Sequence, residues 1–309
     1  MRAVGVDLGG TKIAVAVVAP DGTTGEVITA PTPALAGGEA VLDAVASLIA
    51  LAMEGADDVA GVGVGTAGVV DATRGSIISA TDTFASWVGT DVAAGLRARL
   101  GWDDARAVEV RNDVDAHALG EAWLGAGRGR SSMLMVAVGT GVGGAVVLDG
   151  RLWTGAHHVA GEMGHIPTPG AEGLRCPCGV EGHLEAVAAG PAIERAYADA
   201  SGDLLVGPEI MALAAAGAEP AARVVAEAAV ALGRAIAGVA TVLDPECVVI
   251  GGGVARAGDE WWGPLRHTCR GEVVPVLKGL AILPAALGPE AAILGAARTV
   301  FDAVGARLD

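Results

Sequence analysis

Four potential metal ligands crowd one stretch of this chain: His165, Cys176, Cys178 and His183. Thiolate and imidazole are the donors that Zn2+ takes in structural sites, four at a time and tetrahedrally. Their span of about twenty residues, in a loop rich in Gly and Pro, favours a metal over scattered surface histidines. The Cys-x-Cys spacing is tighter than in a generic zinc finger. Cys176-Pro177-Cys178 fits metal binding in a reducing compartment better than a disulfide framework. Cys247 sits in an apolar strand and reads as core. Cys269 and His267 have no partners in the sequence, and His157 and His158 adjoin the loop without a role.

A second chemistry lies in three glycine turns at strand ends: Gly9-Gly10-Thr11-Lys12, Gly139-Thr140-Gly141-Val142-Gly143-Gly144 and Gly251-Gly252-Gly253. Backbone N–H groups can hold a phosphate chain without side-chain charge, and glycine lets the backbone come close. Each turn alone reads as a hairpin turn. The three together favour a nucleotide site between two halves of the chain. None fits the Walker pattern or a G-x-G-x-x-G that opens a helix ahead of a distal acid, so the P-loop and dinucleotide readings fail. Asp7 precedes the first turn. It is either a turn residue bonded to its own backbone or a carboxylate orienting hydrated Mg2+ near a transferred phosphate. Lys12 is balanced between a phosphate ligand and a hairpin edge.

The elements that must position these residues follow from hydrophobic pattern. Ala3–Val6 and Ile13–Val18 are strands around the first turn, and Met133–Val138 and Ala145–Leu148 are strands around the second. Two such hairpins roughly 130 residues apart point to related halves. Helices are expected at Glu39–Met53, at Asp91–Leu100 with Asp91 as cap, from Asn112-Asp113 through Leu124, and at Leu184–Ala200, Glu209–Ala216, Ala222–Val242 and Glu290–Val304. Strands are expected at Val59–Val64, Ala107–Arg111 and Cys247–Ile250. Gly155–Gly182 is loop. The mixture is α/β, with a boundary near Asn112.

Composition excludes other classes. With 20 basic and 36 acidic residues the net charge is −16, which opposes a nucleic-acid partner. Aromatics are 3% of the chain and Gly numbers 48, so the core must be built from small side chains. Ser131–Leu148 is charge-free and long enough to raise a membrane span, but its glycine centre reads as strand-turn-strand. Asp7 stands where a signal peptide would be apolar, so a cytoplasmic protein without membrane attachment is expected.

These residues resemble the ROK family of sugar kinases, a branch of the actin/hexokinase superfamily. Asp7-Leu8-Gly9-Gly10-Thr11-Lys12 is similar to the family's first phosphate motif, and Gly139–Gly144 to its second. Gly63-Val64-Gly65-Thr66-Ala67-Gly68-Val69-Val70-Asp71 resembles its G-x-G-x-x-G-x-V-D segment, with Ala67 where Pro is common. Asn112-Asp113 resembles the catalytic N-D, and Asp115 stands where Asn is frequent. Gly161-Glu162-Met163-Gly164-His165 and Cys176-Pro177-Cys178-Gly179-Val180-Glu181-Gly182-His183-Leu184-Glu185 resemble the G-E-x-G-H and C-x-C-G-x-x-G-C-x-E signature, with His183 in place of a third Cys.

The resemblance implies a duplicated actin-like (ribonuclease H-like) ATPase fold, with two α/β domains flanking a cleft. The domains are expected at 1–112 and 113–309, the latter with a zinc loop at 165–185, and the helix at about 290–309 packing back on the first. It implies ATP-dependent phosphorylation of a hexose, glucose at O6 first, with N-acetylglucosamine, N-acetylmannosamine or fructose as alternatives. Asp113 is the implied base. The helix start would lower its pKa and weaken it, and N-capping is its plain structural alternative. Asn112, Asp113, Glu162, His165 and Glu185 are the implied sugar contacts, and residues 81–87 are a place where substrate choice could be set. Asp7, Gly9, Gly10, Thr11, Lys12, Gly139, Thr140, Gly141, Gly143, Gly252 and Gly253 are assigned to ATP and Mg2+. His165, Cys176, Cys178 and His183 are assigned to structural Zn2+. A homodimer or tetramer is implied. The family's sugar-responsive repressors carry a DNA-binding extension before the first phosphate motif, for which a motif starting at Asp7 leaves no room.

Overall fold

The computed structural model describes residues 1–56, 58–81 and 84–305. In chain order it contains β1 (Arg2–Leu8), β2 (Lys12–Val18), β3 (Ile28–Pro31), α1 (Gly38–Ala52), β4 (Val59–Thr66), β5 (Val69–Asp71), β6 (Ser76–Ser79), α2 (Val92–Leu100), β7 (Ala107–Asn112) and α3 (Asp113–Leu124). Then follow β8 (Met133–Val138), β9 (Val142–Leu148), β10 (Arg151–Leu152), α4 (Glu185–Ala188), α5 (Gly190–Ser201), α6 (Gly207–Ala215) and α7 (Ala221–Leu243). Last come β11 (Cys247–Gly251), α8 (Asp259–Glu272), β12 (Ala281–Pro284) and α9 (Ala291–Gly305).

The chain divides into two compact units. One comprises residues 1–129, 150–160 and the segment from 286; the other comprises 130–149 and 161–285. The Asn112–Asp113 junction therefore lies inside the first unit, where α3 packs on α9.

In the first unit the sheet order is β3-β2-β1-β4-β7. β1 pairs antiparallel with β2 and parallel with β4, and β4 pairs parallel with β7. The order β9-β8-β11-β12 in the second unit repeats this plan: an antiparallel hairpin, then two parallel neighbours. The duplication seen weakly in sequence is plain in topology.

Side-chain size sorts the faces of the first sheet. Val4, Val6 and Leu8 on β1, with Val62 and Val64 on β4, pack on one face against Val41, Leu42, Val45 and Ile49 of α1 and Val92 and Leu96 of α2. The alternate positions are Ala3, Gly5 and Asp7 on β1 and Gly61, Gly63 and Gly65 on β4. This small face takes α9 at very short range. A Cβ on Gly63 would strike the Ala296 carbonyl, and one on Gly295 would strike the carbonyl of Ala116 on α3. Much of the glycine excess and the scarcity of aromatics come from this close helix–sheet packing.

The second unit's core joins Leu134, Val136 and Val138 to Val225, Leu232 and Ile236 of α7 and Trp261 and Leu265 of α8. α7 is long and apolar enough to cross a membrane, but 61% of its apolar window is buried.

Several expectations shift. The helix expected at Leu184–Ala200 breaks at Ala189, which is extended (ψ 158°), because Pro191 cannot continue a helix begun upstream. α8 was not anticipated: it carries Pro264 inside it and a charged start. The β5–β6 hairpin, β3 and β12 were missed as short strands. Residues 82 and 83 of the 81–87 segment, and residues 306–309 of the C-terminal helix, lie outside the described residues.

Candidate functional site

In the first unit, three parallel strands end side by side. Asp7 on β1 is in register with Gly65 on β4, which is in register with Arg111 on β7; one step on come Leu8, Thr66 and Asn112. The carboxyl ends of parallel strands are where α/β folds bind ligands. Thr66 is wholly buried, and its hydroxyl has no hydrogen-bond partner among the described residues.

Asn112 caps α3. Its side-chain oxygen accepts from the N–H groups of Val114 (2.8 Å) and Asp115 (3.4 Å), and its amide donates to the Gly68 carbonyl at 3.0 Å. The capping role weighed for Asp113 therefore belongs to Asn112. Asp113 is the first helical residue, and its carboxylate accepts from the N–H of Val114 at 2.9 Å. That bond lowers its pKa, as expected at a helix start, but burial raises it more and the net shift is upward. Burial thus outweighs the lowering expected at the helix start.

Asp7 is also raised, to about 6, first by burial and then by the charge of Asp113, with Lys12 opposing. Two carboxylates that repel each other in a buried place are an oxygen-only donor set suited to a hard cation such as Mg2+. The first glycine turn adjoins them. Gly9 N–H donates to the Lys12 carbonyl at 3.0 Å, and the Thr32 hydroxyl donates to the Gly9 carbonyl at 2.7 Å. Gly10 and Thr11 lie at the tip of this turn.

The second unit gathers the other two glycine turns. Gly251 on β11 is in register with Ala137 on β8, so the turns after these strands are neighbours. Gly252 has φ +93°, and a Cβ there would run into the backbone of Val138; no other residue fits. Gly253 follows it, and Gly190 at the start of α5 donates to the Gly139 carbonyl at 2.8 Å. Thr140, Gly141 and Gly143 complete the β8–β9 turn.

Glu185, the first residue of α4, links this turn to the metal loop. One carboxylate oxygen accepts from Val142 N–H at 2.8 Å, and the other lies 3.7 Å from the Cys176 sulfur. A Cβ on Gly141 would meet the first of these oxygens at 2.5 Å.

His165, Cys176, Cys178 and His183 come together as the sequence suggests, with their ligand atoms all within 4.8 Å of one another. Cys176 Sγ lies 3.5 Å from His165 Nδ1, and Cys178 Sγ lies 3.2 Å from His183 Nδ1. Zn–S and Zn–N bonds of about 2.3 and 2.0 Å give tetrahedron edges of roughly 3.3–3.8 Å, so the donor set fits zinc. Backbone bonds hold the loop: Cys176 N–H to Val180, Gly179 N–H to Cys176, and Gly182 N–H to Leu174, at 2.9–3.0 Å. Burial pushes the Cys176 thiol up to about 12. On its other side, the His165 Nε2 stands 3.8 Å from a Glu162 carboxylate oxygen.

A family profile described as the ROK family matches residues 3–303. The chain belongs to the ROK family. A glucokinase from Thermotoga maritima is 33% identical over 320 residues, covering 99% of each chain. The solved structure of a ROK hexokinase from Thermus thermophilus shares 37% identity and a TM-score of 0.88, over 99% of this chain and 100% of that one. A ROK family glucokinase from Streptomyces griseus, solved in complex with glucose and AMPPNP, shares 31% identity and a TM-score of 0.81, over 98% of this chain and 100% of that one. The fold is accordingly that of the actin-like ATPases among which ROK sugar kinases fall.

One buried acid escaped the sequence reading. Glu121 on α3 is fully buried and accepts from the N–H groups of Ala126 (2.8 Å), Ala286 (2.9 Å) and Leu287 (2.8 Å). Ala286 and Leu287 open the segment that returns to the first unit, so Glu121 ties that segment to the helix carrying Asp113.

Proposed function

We propose that this chain is an ATP-dependent hexose kinase acting on glucose at O6 in the cytoplasm. The observation that carries the reading is Asp113: a carboxylate made more basic by burial, held at the start of α3 by the Asn112 cap, with Asp7 beside it. The identity to glucokinases and the neighbour holding glucose and AMPPNP support the substrate pair.

The reaction forms a bond between O6 of the sugar and the γ-phosphorus of ATP while the bond from that phosphorus to the β,γ-bridging oxygen breaks. ADP departs with the bonding pair. The O6 proton passes to a carboxylate oxygen of Asp113. Because the transferred group carries little bonding to either oxygen at the transition state, proton transfer is late and a modest base suffices. Asn112, Glu162, His165 and Glu185 serve the sugar hydroxyls. Gly9, Gly10, Thr11, Lys12, Gly139, Thr140, Gly141, Gly143, Gly252 and Gly253 line the phosphate chain with N–H groups and one ammonium. Asp7 would orient Mg2+, which supplies charge neutralisation of the phosphates. His165, Cys176, Cys178 and His183 would hold Zn2+, which supplies rigidity to the loop that aims His165 at the sugar.

Coupled ADP release over a hexose panel tests the substrate. Asp113→Asn should lower kcat by about 10²–10⁴-fold, the usual contribution of a general base, while calorimetry still detects glucose binding. A variant with near-normal kcat overturns the assignment.

A further inference from the structure

His158 bears two costs and makes one contact that offsets them. Its φ is +59°, a left-handed value that glycine takes at Gly155 and Gly161 in the same stretch. A β-carbon makes that conformation strained. Its ring is mostly buried, and Nδ1 has no hydrogen-bond partner among the described residues. Its Nε2 stands 3.7 Å from Asp71 Oδ1, with the two side chains only 24% and 19% exposed.

Asp71 is itself firmly set. Its Oδ1 accepts from the N–H (3.0 Å) and hydroxyl (2.5 Å) of Thr73, and Arg74 Nε lies 3.8 Å from Oδ2. It ends β5, and Gly68, the residue before β5, takes the Asn112 amide on its carbonyl. β5 thus has the helix cap of the base-bearing helix at one end and the His158 ring at the other. The His158 loop is closed by the Ala160 N–H on the Thr154 carbonyl at 3.1 Å, and Glu162 follows His158 by four residues.

We infer that His158 is a positioning residue for hexose binding: pressed on Asp71, it pins the 154–160 loop to β5 and so braces Asn112 and the stretch leading to Glu162. The inference rests on the hexose-kinase reading. Strain kept at one residue where glycine would relieve it is the mark of such a role.

The test is steady-state kinetics of the full-length protein, with His158→Gly, His158→Asn, Asp71→Asn and the Gly/Asn double variant. Glycine adopts φ +59° freely and asparagine tolerates it, so folding should be unharmed and His158→Gly should melt no lower than the wild type. The expected result is a glucose KM raised about tenfold in His158→Gly, with kcat and the KM for ATP within about twofold, the pattern of lost ground-state binding. Asp71→Asn should raise the glucose KM similarly, and the double variant no further. An unchanged glucose KM in both His158 variants, or additive effects in the double, overturns the inference. Wild-type protein that turns over no hexose fails the kinase reading instead, before any variant is compared.

Discussion

Asp7 shows how the burial of one carboxyl makes stability depend on pH. Its pKa is raised to about 6 by burial and by Asp113, against 3.8 when free. A raised carboxyl stabilises the fold while it is protonated. That contribution is full below the unfolded pKa near 4 and is lost as pH climbs through about 6. Above that, the folded protein carries a buried charge at a cost of about 3 kcal/mol, at 1.36 kcal/mol per pKa unit. Asp7→Asn should therefore be only about 1 kcal/mol more stable than the wild type at pH 4.5, yet more stable by up to about 3 kcal/mol at pH 7.5. Urea titrations of the nucleotide-free protein in a chelator would show it, and the same variant should have lost kinase activity. Equal stability of the two proteins at pH 7.5 would remove the argument.

At the scale of elements, α9 is the piece on which the first unit depends. It rests on the glycine face of β1 and β4 and against α3, where its Ala292 and Ala296 form a contact of small residues with Ala116. Gly295→Ala places a methyl into the Ala116 backbone, where neither partner can yield cheaply. The expected cost is about 1–3 kcal/mol, as for overpacking in a dense core; a melting temperature unchanged by differential scanning calorimetry would contradict this seating. Such packing is half legible in sequence. Gly-Val-Gly-Val-Gly at 61–65 announces a strand with one bare face, and the glycine turns and the Cys/His loop are local patterns that survive without coordinates. What covers the bare face is not local. Glu121 meets N–H groups 165 and 166 residues away, so no window of sequence could mark it as anything but a surface acid. α8 received no assignment because its charged first turn and Pro264 mask the helical pattern that places Trp261 and Leu265 in the core. The basicity of Asp113 was misjudged because a helix start is visible in sequence while burial is not.

At the scale of the whole molecule, the cores of the two units draw unequally on the chain. Among the described residues, the core of the second unit runs from Leu134 to Ile282 and takes none beyond Ala285, whereas Ile293, Leu294, Ala297 and Val300 complete the small face of the first sheet. Two perturbations should therefore strike different halves. Ending the chain at Ala285 strips α9 from β1 and β4, exposes Ala3, Ala14 and Ala16, and deprives Glu121 of two of its donors, leaving a buried carboxylate under-bonded at about 1–3 kcal/mol for the lost partners alone. Hydrogen exchange should then rise throughout residues 1–129 while β8, β11 and α7 stay protected. Stripping the proposed zinc with a chelator should do the reverse. It frees Cys176, Cys178 and the two histidines in a loop tied to Glu185 and the β8–β9 turn, so exchange should rise across 165–185 and at Val142 while β1 and β4 keep their protection. Both treatments loosening the whole chain together would mean that the two cores melt as one cooperative body.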